Sequence, residues 1–138
     1  MADNKFRLVI LTPYGIYFDG QVSFLEVHSE KYNLGILPNH APLISTVEIC
    51  KGVIRMDRSE CIYAIGGGVI NVKGNNVVTL IVNSIERSDE INVERAKESL
   101  KRAQERLDRS AKDEAIDVSR AKAALLRASN RIKISSKK

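Results

Sequence analysis

Cys61-Ile62-Tyr63-Ala64-Ile65-Gly66-Gly67-Gly68-Val69-Ile70-Asn71-Val72-Lys73-Gly74-Asn75-Asn76-Val77-Val78-Thr79-Leu80-Ile81-Val82 decides what the first two thirds of this chain can be. Its apolar residues come in short runs, broken first by three glycines and then by Lys73-Gly74-Asn75-Asn76. Short β-branched runs closed by turn residues read as strands, not helices. A glycine triplet inside such a pattern marks a bulge or a close backbone approach.

Working back toward the N-terminus, the same pattern holds. Residues 6–11 form an apolar stretch that stops at Thr12-Pro13, residues 22–27 follow Asp19-Gly20, and residues 53–56 follow Lys51-Gly52. A turn over residues 57–60 is expected to set Met56 opposite Cys61. No helical period appears before residue 91, so crossover helices for a parallel sheet are missing. An antiparallel β-sandwich over residues 1–87 is predicted.

Toward the C-terminus the period changes. Val93, Ala96, Leu100, Ala103 and Leu107 recur at steps of three and four, and Val118, Ala121, Leu125, Ala128 and Ile132 repeat them 25 residues later. This is one amphipathic helix written twice. Joined through residues 108–115, the two predict an antiparallel helical hairpin within residues 88–138. Ile91-Asn92 and Ile116-Asp117 precede the two helices, so Asn92 and Asp117 are expected N-caps and each isoleucine a hydrophobic staple. Alanines along the seam keep buried area small, which predicts a marginal, mobile element.

The net charge of +5 is unevenly placed. Residues 1–90 carry 8 Lys and Arg against 10 Asp and Glu, whereas residues 91–138 carry 14 against 7. The chain has no Trp and only 5% aromatic residues, which argues against base stacking. A nucleic-acid-binding hairpin is nonetheless the alternative that the basic tail suggests. No apolar run is long enough for a transmembrane helix, no signal peptide is visible, and a cytoplasmic protein is expected. Cys50 and Cys61 have no metal-site spacing and are expected as free thiols. His40 and His28 lack ligand-spaced partners, and the glycine triplet lacks both the Lys-Ser/Thr of a phosphate loop and a following helix. No catalytic constellation and no metal site are expected.

The segment Leu34-Gly35-Ile36-Leu37-Pro38-Asn39-His40-Ala41-Pro42-Leu43 resembles the most characteristic stretch of the epsilon subunits of bacterial F-type ATP synthases. Leu11-Thr12-Pro13, the glycine triplet and the exit from residues 82–87 into two helices are similar to that family in the same order. The resemblance spans about residues 5–134 and implies a non-catalytic central-stalk rotor subunit. It implies that the sandwich couples the gamma subunit to the c-ring, and that the complex makes ATP from a transmembrane proton gradient. It further implies a tail that reaches the alpha and beta subunits and inhibits ATP hydrolysis, on a protein held peripherally at the cytoplasmic face of the cell membrane.

By the same resemblance, subunit contacts fall at Ser29, Glu30, Lys31, Tyr32 and Asn33, at His40, and at Arg120 and Lys122 in the basic second helix. Some relatives bind ATP through Ile-Asp-x-x-Arg-Ala at the first helix start. Here that place reads Ile91-Asn92-Val93-Glu94-Arg95-Ala96, so an amide replaces the acid. Glu86, Ile91, Asn92, Arg95, Ala96, Arg102, Arg127 and Arg131 are the matching positions, with ATP an expected regulatory ligand and no cofactor required.

Overall fold

The computed structural model describes residues 4–113 and 115–135. Eight strands precede two helices: β1 (Phe6–Thr12), β2 (Gly15–Val22), β3 (Phe24–His28), β4 (Asn33–Ile36), β5 (Leu43–Met56), β6 (Ser59–Lys73), β7 (Val77–Val82), β8 (Ile85–Arg87), α1 (Val93–Ser110) and α2 (Val118–Ser135). A short 3-10 turn, Ser88–Glu90, separates β8 from α1. The chain divides into two compact units, Met1–Arg87 and Ser88–Lys138.

The first unit is a sandwich built from one sheet folded over itself. Strand order is β2-β1-β7-β6-β5-β3-β4, with β8 beside β6. The hairpin of β5 and β6 is long enough to serve both layers. One layer pairs residues 68–73 of β6 with β7 and with residues 43–47 of β5. The other pairs residues 63–65 of β6 with β8 and residues 53–55 of β5 with β3. Inward residues of both layers, among them Phe6, Leu8, Ile10, Leu25, Ile36, Ile70 and Leu80, form a single core.

The glycine triplet makes the passage between layers. It does not end a strand, as its composition suggests; β6 runs straight through it. Gly67 takes φ +91°, a backbone that side chains disfavour. A Cβ on Gly68 would overlap the carbonyl oxygen of Ile81, so β7 approaches as closely as glycine allows. On the partner strand, residues 43–50 are part of β5, extending it well before the expected start at Val53.

Asp19-Gly20 is likewise no break, because both residues lie inside β2. Asp19 sits opposite Val9, and its carboxylate accepts from Arg7 Nε at 3.0 Å and Nη2 at 2.8 Å. The chain turns instead at Ser23, whose N–H and Oγ both donate to Arg55 O. At the β5–β6 hairpin only Asp57 and Arg58 form the turn, since Met56 pairs with Ser59. Asp57 takes φ +53°, which suits a two-residue hairpin loop. Ile54 therefore faces Cys61, where Met56 was expected. All pairings are antiparallel except β1 with β7. That parallel pair needs no crossover helix because the rest of the sheet is its connection.

In the second unit both caps form. Asn92 Oδ1 accepts the Arg95 N–H at 3.0 Å, and Asp117 Oδ1 accepts the Arg120 N–H at 3.1 Å. Ile91 is buried and Ile116 half-buried, as staples should be. Ala96, Ala103, Ala121 and Ala128 are sealed in the seam, while Leu100, Leu107, Leu125 and Ile132 are only half-buried. Val118, an expected seam residue, is 39% exposed because it opens α2 beyond the last full contact. The helix α1 reaches Ser110, past the expected start of the loop, with Asp108 accepting from Gln104 one turn earlier.

Candidate functional site

Three surfaces have the makings of a site. The first is the outer face of the β2-β1-β7-β6-β5 layer. Ile16, Leu11, Ile81, Val69 and Thr46 are successive cross-strand partners, so their side chains form one row on one face. Ile81 is 49% exposed, Ile16 67% and Val69 39%. Ile44, two residues before Thr46 on the same face, is 72% exposed. These residues were not among the expected contacts. Their signal in the sequence is partial: residues 77–82 carry apolar side chains on both faces of a strand, and only one face can meet the core, but which face turns outward is not written there.

The second surface comprises two loops. Ser29 closes the β3–β4 loop, its N–H and Oγ both donating to Tyr32 O at 2.9 Å. Glu30, Lys31, Tyr32 and Asn33 are exposed beyond it. In the β4–β5 loop His40 is half-buried, and its Nδ1 lies 2.7 Å from Ala41 O. A carbonyl can only accept, so Nδ1 carries the hydrogen.

The third surface is a flank of the hairpin. At 3.6 residues per turn, Arg95 and Arg102 share one flank of α1, and Arg127 and Arg131 share one flank of α2. Antiparallel pairing turns both flanks to the same side. Arg95 and Arg102 stand seven residues apart, about 10 Å along the axis. Arg120 is on this side too, nearer the interhelical turn, and Lys122 is on the other; both are exposed. Arg102 Nη2 donates to Ser99 Oγ at 3.2 Å. Ile91 and Ala96 are buried, so in this conformation they shape the helix start and offer no side-chain contact. Glu86 lies in β8, in the first unit.

The opposite flank carries an open groove of about 420 Å³ lined by Lys97, Leu100, Lys101, Gln104, Leu125 and Ser129, among others. None of the arginines lines it. Burial pushes the Cys50 thiol above its ordinary range, which favours the protonated form. Among the described residues no cluster could hold a metal ion, and no helix is long and apolar enough to cross a membrane.

Comparison with known proteins accounts for both units. Residues 5–88 match the beta-sandwich domain of the ATP synthase delta/epsilon chain, and residues 89–136 match its long alpha-helix domain. The ATP synthase epsilon chain of Carboxydothermus hydrogenoformans is 44% identical over 112 residues, covering 79% of this chain and 80% of the relative. That of Pelotomaculum thermopropionicum is 40% identical over 109 residues, covering 78% and 79%. Among solved structures, a chain of the Euglena gracilis mitochondrial ATP synthase superposes with a TM-score of 0.77 at 17% identity, covering 92% of this chain and 79% of that one. At that identity the likeness concerns the fold alone. With nearly its whole length matched by the two domain models, the chain belongs to the ATP synthase delta/epsilon family, as an epsilon chain.

Proposed function

We propose that this chain is a non-catalytic rotor subunit of a proton-translocating ATP synthase, coupling the gamma subunit to the c-ring in ATP synthesis. One observation carries the reading: the apolar row Ile16, Leu11, Ile81 and Val69 on the outer face of a sandwich that already has a complete core. Contiguous exposed apolar residues mark a protein interface, and here they stand on a sheet backed by a full core. Gamma is the partner assigned to that face. The exposed residues 30–33 and the segment around His40 are assigned to contacts with the c-ring and gamma respectively. The complex places the chain peripherally at the cytoplasmic face of the membrane.

The hairpin is the regulatory part. Its basic residues suit an acidic surface on the alpha and beta subunits, with Arg120 and Lys122 making salt-sensitive contacts in the inhibiting state. A basic hairpin in an epsilon chain needs no nucleic acid to explain it. Removing residues 88–138 is expected to raise ATP hydrolysis by the reconstituted complex, while the sandwich stays folded and bound. Hydrolysis unchanged by that truncation would remove inhibition from the function.

ATP is proposed as the regulatory ligand of the arginine flank, through Arg95, Arg102, Arg127 and Arg131. Asn92 is occupied as a cap, and Asp caps equally well, so Asn92→Asp separates cap from ligand. A charge-assisted hydrogen bond gains ~1–2 kcal/mol, so ATP titrated calorimetrically onto Asn92→Asp should bind about tenfold more tightly than onto wild type. Equal affinities would confine Asn92 to capping.

A further inference from the structure

The β4–β5 loop, residues 37–42, carries Pro38, Asn39, His40 and Pro42 between two strands of opposite layers. Asn76 holds it from outside. Asn76, in the β6–β7 turn, takes φ +65°, and Asn39 takes φ +63°. Asn76 Oδ1 accepts the Asn39 backbone N–H at 2.7 Å. Asn76 Nδ2 donates to Lys5 O at 2.8 Å, and Asn76 O accepts the Arg7 N–H at 3.1 Å. Three segments distant in sequence, the start of β1, the β6–β7 turn and the β4–β5 loop, therefore meet at one amide. The turn and the loop are also packed together, since a Cβ on Gly74 would stand 3.3 Å from Pro42 Cγ.

We propose that Asn76 is a positioning residue for partner binding: its Oδ1 holds Asn39, and so fixes the loop bearing His40 next to the exposed Ile44, on the outer face that also carries the apolar row. The proposal rests on the reading of that face as the gamma interface. Its physical basis is economy of ordering. A loop lacking its own backbone ladder must be ordered on binding unless something orders it beforehand. The bond from the Asn39 N–H to Asn76 Oδ1 supplies that order beforehand. The anchoring atoms lie at one end of the β6–β7–β1 layer, whose outer face carries the apolar row four residues further along the strands, so the loop is tied to the same sheet as the row.

The test uses the full chain with three substitutions. Asn76→Gly keeps the left-handed backbone and removes both side-chain bonds. Asn76→Asp keeps an oxygen for the Asn39 N–H but sets its second oxygen against Lys5 O, an acceptor facing an acceptor. Asn39→Gly keeps both the N–H and the conformation. Two quantities are measured: amide hydrogen exchange at residue 39 with Ile70 and Leu80 as core references, and affinity for a gamma-containing catalytic complex depleted of its epsilon chain. Asn76→Gly is expected to speed exchange at residue 39 without affecting the core references. Its affinity should fall about fivefold to tenfold, as befits one hydrogen bond. Asn39→Gly should stay near wild type in both, and Asn76→Asp should fall between wild type and Asn76→Gly.

Faster exchange at residue 39 with unchanged affinity would overturn the positioning role. So would Asn76→Asp binding as weakly as Asn76→Gly, because that pattern assigns the effect to the Lys5 bond. Ile81→Asp is the control on the interface itself. If it too leaves affinity unchanged, the gamma-facing surface is wrong and the loop's role falls with it, while exchange at residue 39 still reports the clamp.

Discussion

Phe6, Leu8, Ile10, Leu25, Ile36, Ile65, Ile70 and Leu80 are sealed inside the sandwich, whereas the seam of the hairpin seals Ala96, Ala103, Ala121 and Ala128. The contrast is one of buried area per residue ordered. A large side chain brings roughly 1.5–3 kcal/mol when fully buried, and an alanine methyl only about 0.8 kcal/mol on the same scale. Both units pay a similar conformational entropy per residue. A sandwich with such a core tolerates load. A hairpin held by methyl groups, half-buried leucines, two caps and the buried Ile91 and Ile134 has less to lose and can separate or extend at smaller cost. The hairpin's 18-residue helices are long enough to persist partly when undocked, which a shorter alanine seam would not permit. Rigidity and adjustability are thus divided between two units, the division that the proposed rotor body and regulatory tail call for.

The largest effect should come where the sandwich is tightest. Gly68→Ala forces a methyl against the Ile81 carbonyl, backbone against backbone, with no flexible neighbour to yield. The expected loss is about 3 kcal/mol or more, with the β6–β7 pairing disrupted. Urea unfolding followed by circular dichroism would measure it, and an unshifted midpoint would show that the layers can move apart.

A matched pair sharpens the contrast between cores. Leu80→Ala empties a fully buried site and should cost about 2–5 kcal/mol of sandwich stability. Leu100→Ala removes a half-buried side chain from the hairpin and should cost about 1 kcal/mol, read as lost helicity with the sandwich transition unmoved. Equal costs would mean that the hairpin is packed as a true core, and the inference of adjustability would fail.

An effect as small as that of Leu100→Ala, and more local, belongs to the caps. Asp117→Ala should lower the stability of the hairpin by about 1 kcal/mol, because the Arg120 N–H loses its acceptor. Amide exchange in the first turn of α2 would register it, with β-strand amides as the unaffected reference.

Much of the hairpin was legible because it is local. Residues three and four apart decide a helix face, and a cap is decided within four residues, so the Asn92 and Asp117 caps and the alanine seam follow from reading the chain in order. Errors there are boundary errors, such as Val118 exposed at the start of α2 and Asp108 still inside α1. Strand existence in the sandwich was legible for a similar reason, but strand limits were not. Asp19-Gly20 and the glycine triplet have turn composition, yet both are strand interior, because Arg7 claims the Asp19 carboxylate and β7 claims the space at Gly68. The arginine flank could be listed from sequence, whereas the outward apolar row could not, since a strand that is apolar on both faces does not say which face is covered.

The sequence by itself determined the order of a strand-rich front and a helical back, both helix starts, the basic tail and the family likeness. Each depends on residue identity or on spacing within a few positions. Only the tertiary structure decided that β1 pairs parallel with β7, that one β5–β6 hairpin serves two layers, that Ile16, Leu11, Ile81 and Val69 align outward, and that Asn76 ties Lys5 to Asn39. Pairing partners in a sheet can lie anywhere along the chain. A single-residue change of register reverses every side chain, so the outward row exists only once the whole core has fixed which faces turn in.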